Sequence, residues 1–180
     1  MSGMAAKAAV QPGRADRALT VVGIGELKVT GDANALLVTY ALGSCLCVIV
    51  HDPVAKVGGL LHAMLPRREG DAGTAPDRPG LYVDSGIPAL FRSCYELGAR
   101  KDRLRVCLAG AASVHGGGAG EADDHFQVGR RNLLTARQLF WKNNVMIHGQ
   151  DVGGSGWRTV QLDVGGGNVV VRSANADVQL

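Results

Sequence analysis

Aromatic side chains are scarce in this 180-residue chain, at 4% of the residues, with two Trp, three Tyr and three Phe. A nucleic-acid surface commonly sets such rings among a stripe of cations, whereas here nineteen Lys and Arg are scattered along the chain against sixteen Asp and Glu, leaving a net charge of +3. Nucleic-acid binding is therefore not expected. Long apolar runs are also missing. Although 46% of the residues are hydrophobic, no stretch reaches the roughly 20 residues a membrane-spanning helix needs, so no membrane insertion is expected. Residues 1–17 lack the apolar segment of a secretory signal. The cysteines at 45, 47, 94 and 107 have no metal-knuckle spacing, and without an export signal nothing favours disulfides. A reducing, cytoplasmic setting is expected.

What is present is enough for one compact domain, with no central linker to divide it. Residues 1–19, rich in Ala, Gly and Arg, are expected to form a disordered tail, and 20–180 the domain. Short β-branched runs predict strands over residues 21–29, 36–39, 46–50, 57–64, 105–108, 145–149, 157–164 and 168–172. Apolar residues at helical spacing predict a helix over 85–97, through Ile87, Leu90, Phe91 and Cys94, with a Ser or Asp cap and Pro88 in its first turn. A second helix is predicted over 129–142, with Leu133, Ala136, Leu139 and Phe140 as its apolar stripe. Strands outnumber helices and many connections resemble hairpins, so the expected class is α+β, with largely antiparallel or mixed sheets flanked by helices.

The residues with chemistry are Thr39, Cys45 and His62. Asp52 and Pro53 break the chain between two β-branched runs and predict a hairpin; a turn centred between Pro53 and Val54 sets Val50 against Val57 and Cys45 against His62. Directly opposed residues have Cβ atoms about 4.5–5.5 Å apart, close enough for a thiol to meet an imidazole. Such a pair is a nucleophile with its general base, and a Thr hydroxyl can orient the base. Taken singly, each has a plainer reading: Cys45 as a core thiol, His62 as a hydrogen-bonded core histidine, Thr39 as a strand residue. Cys47, Cys94 and Cys107 read as packing thiols.

In their order along the chain, several motifs resemble the CheD chemoreceptor glutamine deamidases. They are Thr39 with Leu42, Gly43, Ser44 and Cys45; Asp52; Gly58, Gly59 and His62; Met64, Leu65 and Pro66; Tyr82 to Asp84; Gly129 to Asn132; and Asp151, Gly153 and Gly154 followed by Arg158. The resemblance runs from about Thr20 to Val171. It departs at Leu108 to Ala111 and at the glycine-rich 115–120 stretch, which leaves the chemistry intact and bears on the partner surface.

The resemblance implies stacked sheets covered by helices, similar to the cytotoxic necrotizing factor catalytic domains. It implies Cys45 as nucleophile, His62 as base and Thr39 as third member, acting without a cofactor. The substrate implied is a glutamine on chemoreceptor cytoplasmic helices, hydrolysed through a Cys-His thioester. Backbone N–H groups around Gly43 and Ser44 are expected to hold the oxyanion. The alternative is a non-catalytic regulatory partner of a CheC-type phosphatase, a role that needs no such triad. A zinc site at Cys45, Cys47, His51 and His62 is not expected, because His51 lies roughly 13 Å along the strand from Cys47 at about 3.3 Å per residue. Asp151, the glycines after it, Arg158 and Asn132 read as turn and buried hydrogen-bonding residues.

Overall fold

A computed structural model describes residues 17–68, 78–113 and 127–180. The glycine-rich 115–120 stretch, the acidic residues after it and all but three residues of the expected tail lie outside these. Among the described residues ten strands and two α-helices follow in the order β1 (Ala18–Val21), β2 (Leu27–Thr30), β3 (Ala35–Leu42), β4 (Leu46–Asp52), β5 (Val57–Ala63), α1 (Val83–Glu96), β6 (Arg105–Gly110), α2 (Val128–Lys142), β7 (Gly149–Val152), β8 (Arg158–Asp163), β9 (Val169–Ser173) and β10 (Asp177–Gln179).

Two five-stranded mixed sheets result, ordered β1-β3-β8-β9-β10 and β2-β5-β4-β6-β7. The β1–β3 and β6–β7 pairs are parallel and the others antiparallel. One apolar cluster, with Leu37, Leu42, Ile49, Leu60, Val160 and Leu162, fills the space between the sheets. A second, with Val48, Leu61, Leu90, Phe91, Ala136 and Phe140, joins the second sheet to the helices. β4 and β5 are buried at every position, because one face of each meets the other sheet and the opposite face meets the helices. That double cover explains why their sequences read as continuous apolar runs rather than as an alternation. The α+β class with stacked mixed sheets is the observed architecture.

Several elements differ from expectation. The single strand over 21–29 is two strands in different sheets, because the chain turns at Gly23, whose N–H is held by the Glu26 carboxylate at 3.0 Å. The strand expected over 145–149 is displaced to Gly149–Val152 beside β6. Helix α1 starts two residues early, with Tyr82 at its cap and no side-chain cap bond, so Pro88 falls at the sixth position and not in the first turn.

The hairpin register also differs: Asp52 pairs with Val57, and His62 pairs with Cys47, not Cys45. The Asp52 carboxylate accepts the N–H groups of Val54 and Ala55, both at 2.9 Å, and Lys56 adopts a φ of 55°. The turn centre thereby moves one residue along and the pairing shifts by two, which preserves every side chain's face.

Asp52 also accepts the Arg100 N–H at 2.9 Å and meets Arg103 Nη2 at 2.8 Å, so one buried carboxylate ties the hairpin to the α1–β6 connection. Burial alone would raise its pKa, but those backbone N–H groups and Arg103 bring it down to about 2. Its folded value is depressed, so its contribution is present above the unfolded value near 3.8 and lost as pH falls through about 2. Asp52→Asn is expected to cost about 2 kcal/mol at pH 7, measured by urea denaturation, with the difference from the parent closing as pH approaches 2.

Candidate active site

β3 turns the Thr39 side chain into the space between the sheets, where it is fully buried. Immediately after it, Tyr40 and Ala41 oppose the single residue Thr159, a bulge in which Ala41 takes a φ of 53°. Bulges of this kind re-aim side chains; here Leu42 returns to the inter-sheet core. From the facing sheet, β5 brings His62 to 1% exposure, and Thr39 Oγ1 lies 2.7 Å from His62 Nδ1. Thr39 and His62, two members of the expected triad, thus come from different sheets and meet across the interlayer space.

The Thr39 hydroxyl also lies 2.7 Å from the Val22 carbonyl oxygen. A carbonyl can only accept, so the single hydroxyl proton of Thr39 goes to Val22. Thr39 Oγ1 must then accept from His62, which places the imidazole proton on Nδ1 and leaves Nε2 bare. Nε2 is buried and has no hydrogen-bond partner among the described residues. Burial lowers the His62 pKa to about 4, so the ring is neutral at pH 7.

Cys45 sits one residue before β4, in the bend formed with Gly43 and Ser44. It is partly buried and packs against the inter-sheet cluster, the side on which His62 lies. His62 pairs directly with Cys47, so Cys45 stands two residues before the partner of His62, on the face that parity assigns to both. Burial raises its thiol pKa, partly offset by its own backbone N–H, so the resting group is a thiol.

Backbone bonds hold the bend in place. Ala111 N donates to the Cys45 carbonyl at 2.7 Å and Ala112 N to that of Gly43 at 2.9 Å. This contact requires glycine at 110, where φ is 95° and a Cβ would overlap the Cys45 carbonyl and approach Leu42 to 2.8 Å. Gly43 is different: its φ is not positive, and a Cβ there would meet nothing within 4 Å. Neither backbone conformation nor crowding therefore requires glycine at 43. The space beside it is open.

Two further residues belong to the network around the bend. Helix α2 places Asn132, fully buried, with Nδ2 at 3.2 Å from the Ser44 carbonyl and 3.0 Å from that of Met64. Arg158 of β8 meets Asp151 of β7 in a two-pronged ion pair at 3.0 and 3.2 Å and donates to the Gly153 carbonyl at 2.8 Å, tying the sheets together. Gly153 N in turn donates to Gly110, which carries the bond pattern back to the Cys45 bend. The sequence marks both residues as motif positions. It carries no signal for what they bridge, because their partners are backbone carbonyls and a residue of another strand.

Cys47, Cys94 and Cys107 are buried in the two cores. His51, at the far end of β4, bonds the Val164 carbonyl at 2.8 Å. Among the described residues no three His, Cys, Asp or Glu side chains gather as metal ligands would, and no helix is long and apolar enough to cross a membrane.

Residues 64–173 match the family model described as CheD chemotactic sensory transduction. The chain is 43% identical over 159 residues to the probable chemoreceptor glutamine deamidase CheD 1 of Syntrophus aciditrophicus, covering 88% of this chain and 96% of the relative. It is 33% identical over 160 residues to the chemoreceptor glutamine deamidase CheD of Thermotoga maritima, covering 89% and 95%. Among solved structures, Bacillus licheniformis hypothetical protein YfiH aligns at 17% identity with a TM-score of 0.43, over 71% of this chain and 51% of that one. A Neisseria meningitidis protein aligns at 10% identity and a TM-score of 0.41, over 77% and 63%.

Proposed function

The chain belongs to the CheD family, and from that premise we propose that it is a cysteine-dependent protein-glutamine deamidase acting on the cytoplasmic helices of chemoreceptors. The observation that carries this reading is the Thr39–His62 hydrogen bond. With Val22 holding the hydroxyl proton, it leaves an unprotonated, buried Nε2 that has no hydrogen-bond partner among the described residues.

The chemistry follows from that tautomer. Cys45 Sγ attacks the amide carbon of a substrate Gln while His62 Nε2 takes the thiol proton. Backbone N–H groups of the Gly43–Cys45 bend hold the oxyanion. As the tetrahedral intermediate collapses, the imidazolium gives its proton to the departing nitrogen, releasing ammonia and leaving a γ-glutamyl thioester. Nε2 then takes a proton from water, the oxygen attacks the thioester carbon, and the thiolate leaves with the imidazolium proton, yielding Glu and the starting enzyme. The imidazolium forms in a buried place against a neutral hydroxyl, not a carboxylate. That raises the barrier and favours slow turnover on a protein substrate.

Because His62 is neutral until pH falls to about 4, kcat/KM for deamidation is expected to show no acid limb between pH 5 and 7. An acid limb centred near 6.5, the ordinary histidine value, would rule out a buried neutral imidazole as the base. Stability carries the same signature. The folded pKa lies below the unfolded one, so the unfolded chain takes up the proton first, and about 3 kcal/mol is lost as pH falls from 6.5 to 4.

The test of the activity is peptide mass spectrometry of a receptor cytoplasmic fragment incubated with this protein or its Cys45→Ala variant. Cys45-dependent conversion of Gln to Glu supports the reading. No conversion by a folded protein favours the regulatory alternative, association with a CheC-type phosphatase.

A further inference from the structure

The β4–β5 ladder ends at the pair Leu46–Ala63. One more rung would set Cys45 against Met64. Instead the Asn132 carboxamide stands at this point, donating from one nitrogen to the Ser44 carbonyl on the β4 side and to the Met64 carbonyl on the β5 side. Ser44 adjoins the nucleophile, and Met64 lies two residues beyond the base.

We propose that Asn132 is a positioning residue that replaces the missing rung and sets the separation of Cys45 from His62. Three observations agree. Both amide hydrogens are spent on these two carbonyls, while Oδ1 is buried without a partner among the described residues, so the group is kept for its two donors. The residue is fully buried on α2, a rigid element held against the neighbouring loop. A Cβ at Gly129 of the same helix would come within 2.7 Å of the Ala112 carbonyl oxygen, so the helix start lies directly on the segment that also bonds the Cys45 bend. The carboxamide thus spans the two strand ends beside a partly buried thiol and fixes how far apart they stand.

This inference rests on Cys45 and His62 as the reacting pair, and its main test needs no protein substrate. The rate of Cys45 alkylation by iodoacetamide is followed from pH 5 to 9 by intact and peptide mass spectrometry. The proteins compared are the parent, Asn132→Leu, Asn132→Asp and, as a destabilised control remote from the site, Cys94→Ala. Asn132→Leu keeps the volume and removes both donors; Asn132→Asp keeps the shape and turns an acceptor toward each carbonyl. The expected result is a change of at least about fivefold in Cys45 alkylation at pH 7 in both, with a displaced pH profile, while Cys94→Ala follows the parent. Deamidation is expected to lose about 10²-fold in kcat with KM within about twofold.

Parent-like alkylation in a folded Asn132 variant overturns the proposal. So does an activity loss that tracks melting temperature as it does in Cys94→Ala, and so does failure of both variants to fold, which would assign Asn132 to the fold as a whole. If the receptor fragment is not converted by any protein yet alkylation changes as expected, the substrate reading fails and the positioning role stands.

Discussion

Replacing Cys45 by Ala is expected to lower the rate of Gln-to-Glu conversion by at least about 10³-fold, to the detection limit of mass spectrometry, with the melting temperature within a few degrees of the parent. The small stability effect follows from position: Cys45 lies outside β4, is only partly buried, and holds its bend through backbone carbonyls that alanine keeps. Cys94→Ala is the opposite case. Its sulfur is buried between α1 and β5, so that change lowers stability through lost packing and leaves the rate constant at saturating substrate unchanged. His62→Ala should resemble Cys45→Ala in rate, because no other buried base lies beside the thiol among the described residues. Equal conversion by Cys45→Ala and the parent would remove the thioester mechanism altogether.

Thr39→Val is expected to cost about 10²-fold in kcat while leaving a folded protein. Valine matches threonine in shape but supplies neither the proton that Val22 accepts nor the lone pair that His62 Nδ1–H meets. A buried N–H and a buried carbonyl are left without partners, at a cost of about 1–3 kcal/mol each, and the imidazole is free to turn or to move its proton to Nε2. A ring protonated on Nε2 cannot take the thiol proton. Thr39→Ser retains the hydroxyl and should recover most of the rate, which separates orientation of the base from simple filling of the interlayer space. Steady-state conversion measured by mass spectrometry distinguishes the three proteins. Parent-like kcat in Thr39→Val would show that the sheet alone holds the ring.

The hairpin shows how much a sequence encodes of such a site. Successive side chains of a strand point to opposite faces whatever their polarity, so which residues of β4 share a face, and which of β5, is legible from residue order. The pairing depends on the turn, where the side chain of Asp52, a residue that ends a strand, recruits two N–H groups and moves the centre by one position. A shift of two residues leaves parity intact, and for that reason an incorrect register still brings the correct residues to one face. The single strand expected over 21–29 fails for a related reason: β-branched spacing reports strand content, not the sheet to which each half belongs.

By itself the sequence determined the α+β class and the two amphipathic helices, carried by spacing and residue type within short stretches, and it singled out Thr39, Cys45 and His62 as the candidate site through the expected hairpin and the ordered family motifs. The tertiary structure alone decided that Thr39 and His62 meet from separate sheets, that Val22 sets the imidazole tautomer, that Asn132 closes the end of the hairpin, and that Arg158 and Asp151 join the layers beside it. Each of these is a contact between segments 7 to 88 residues apart in the chain. Such contacts are set by how sheets and helices stack, and stacking depends on the summed shape of whole faces, which no short stretch of sequence contains.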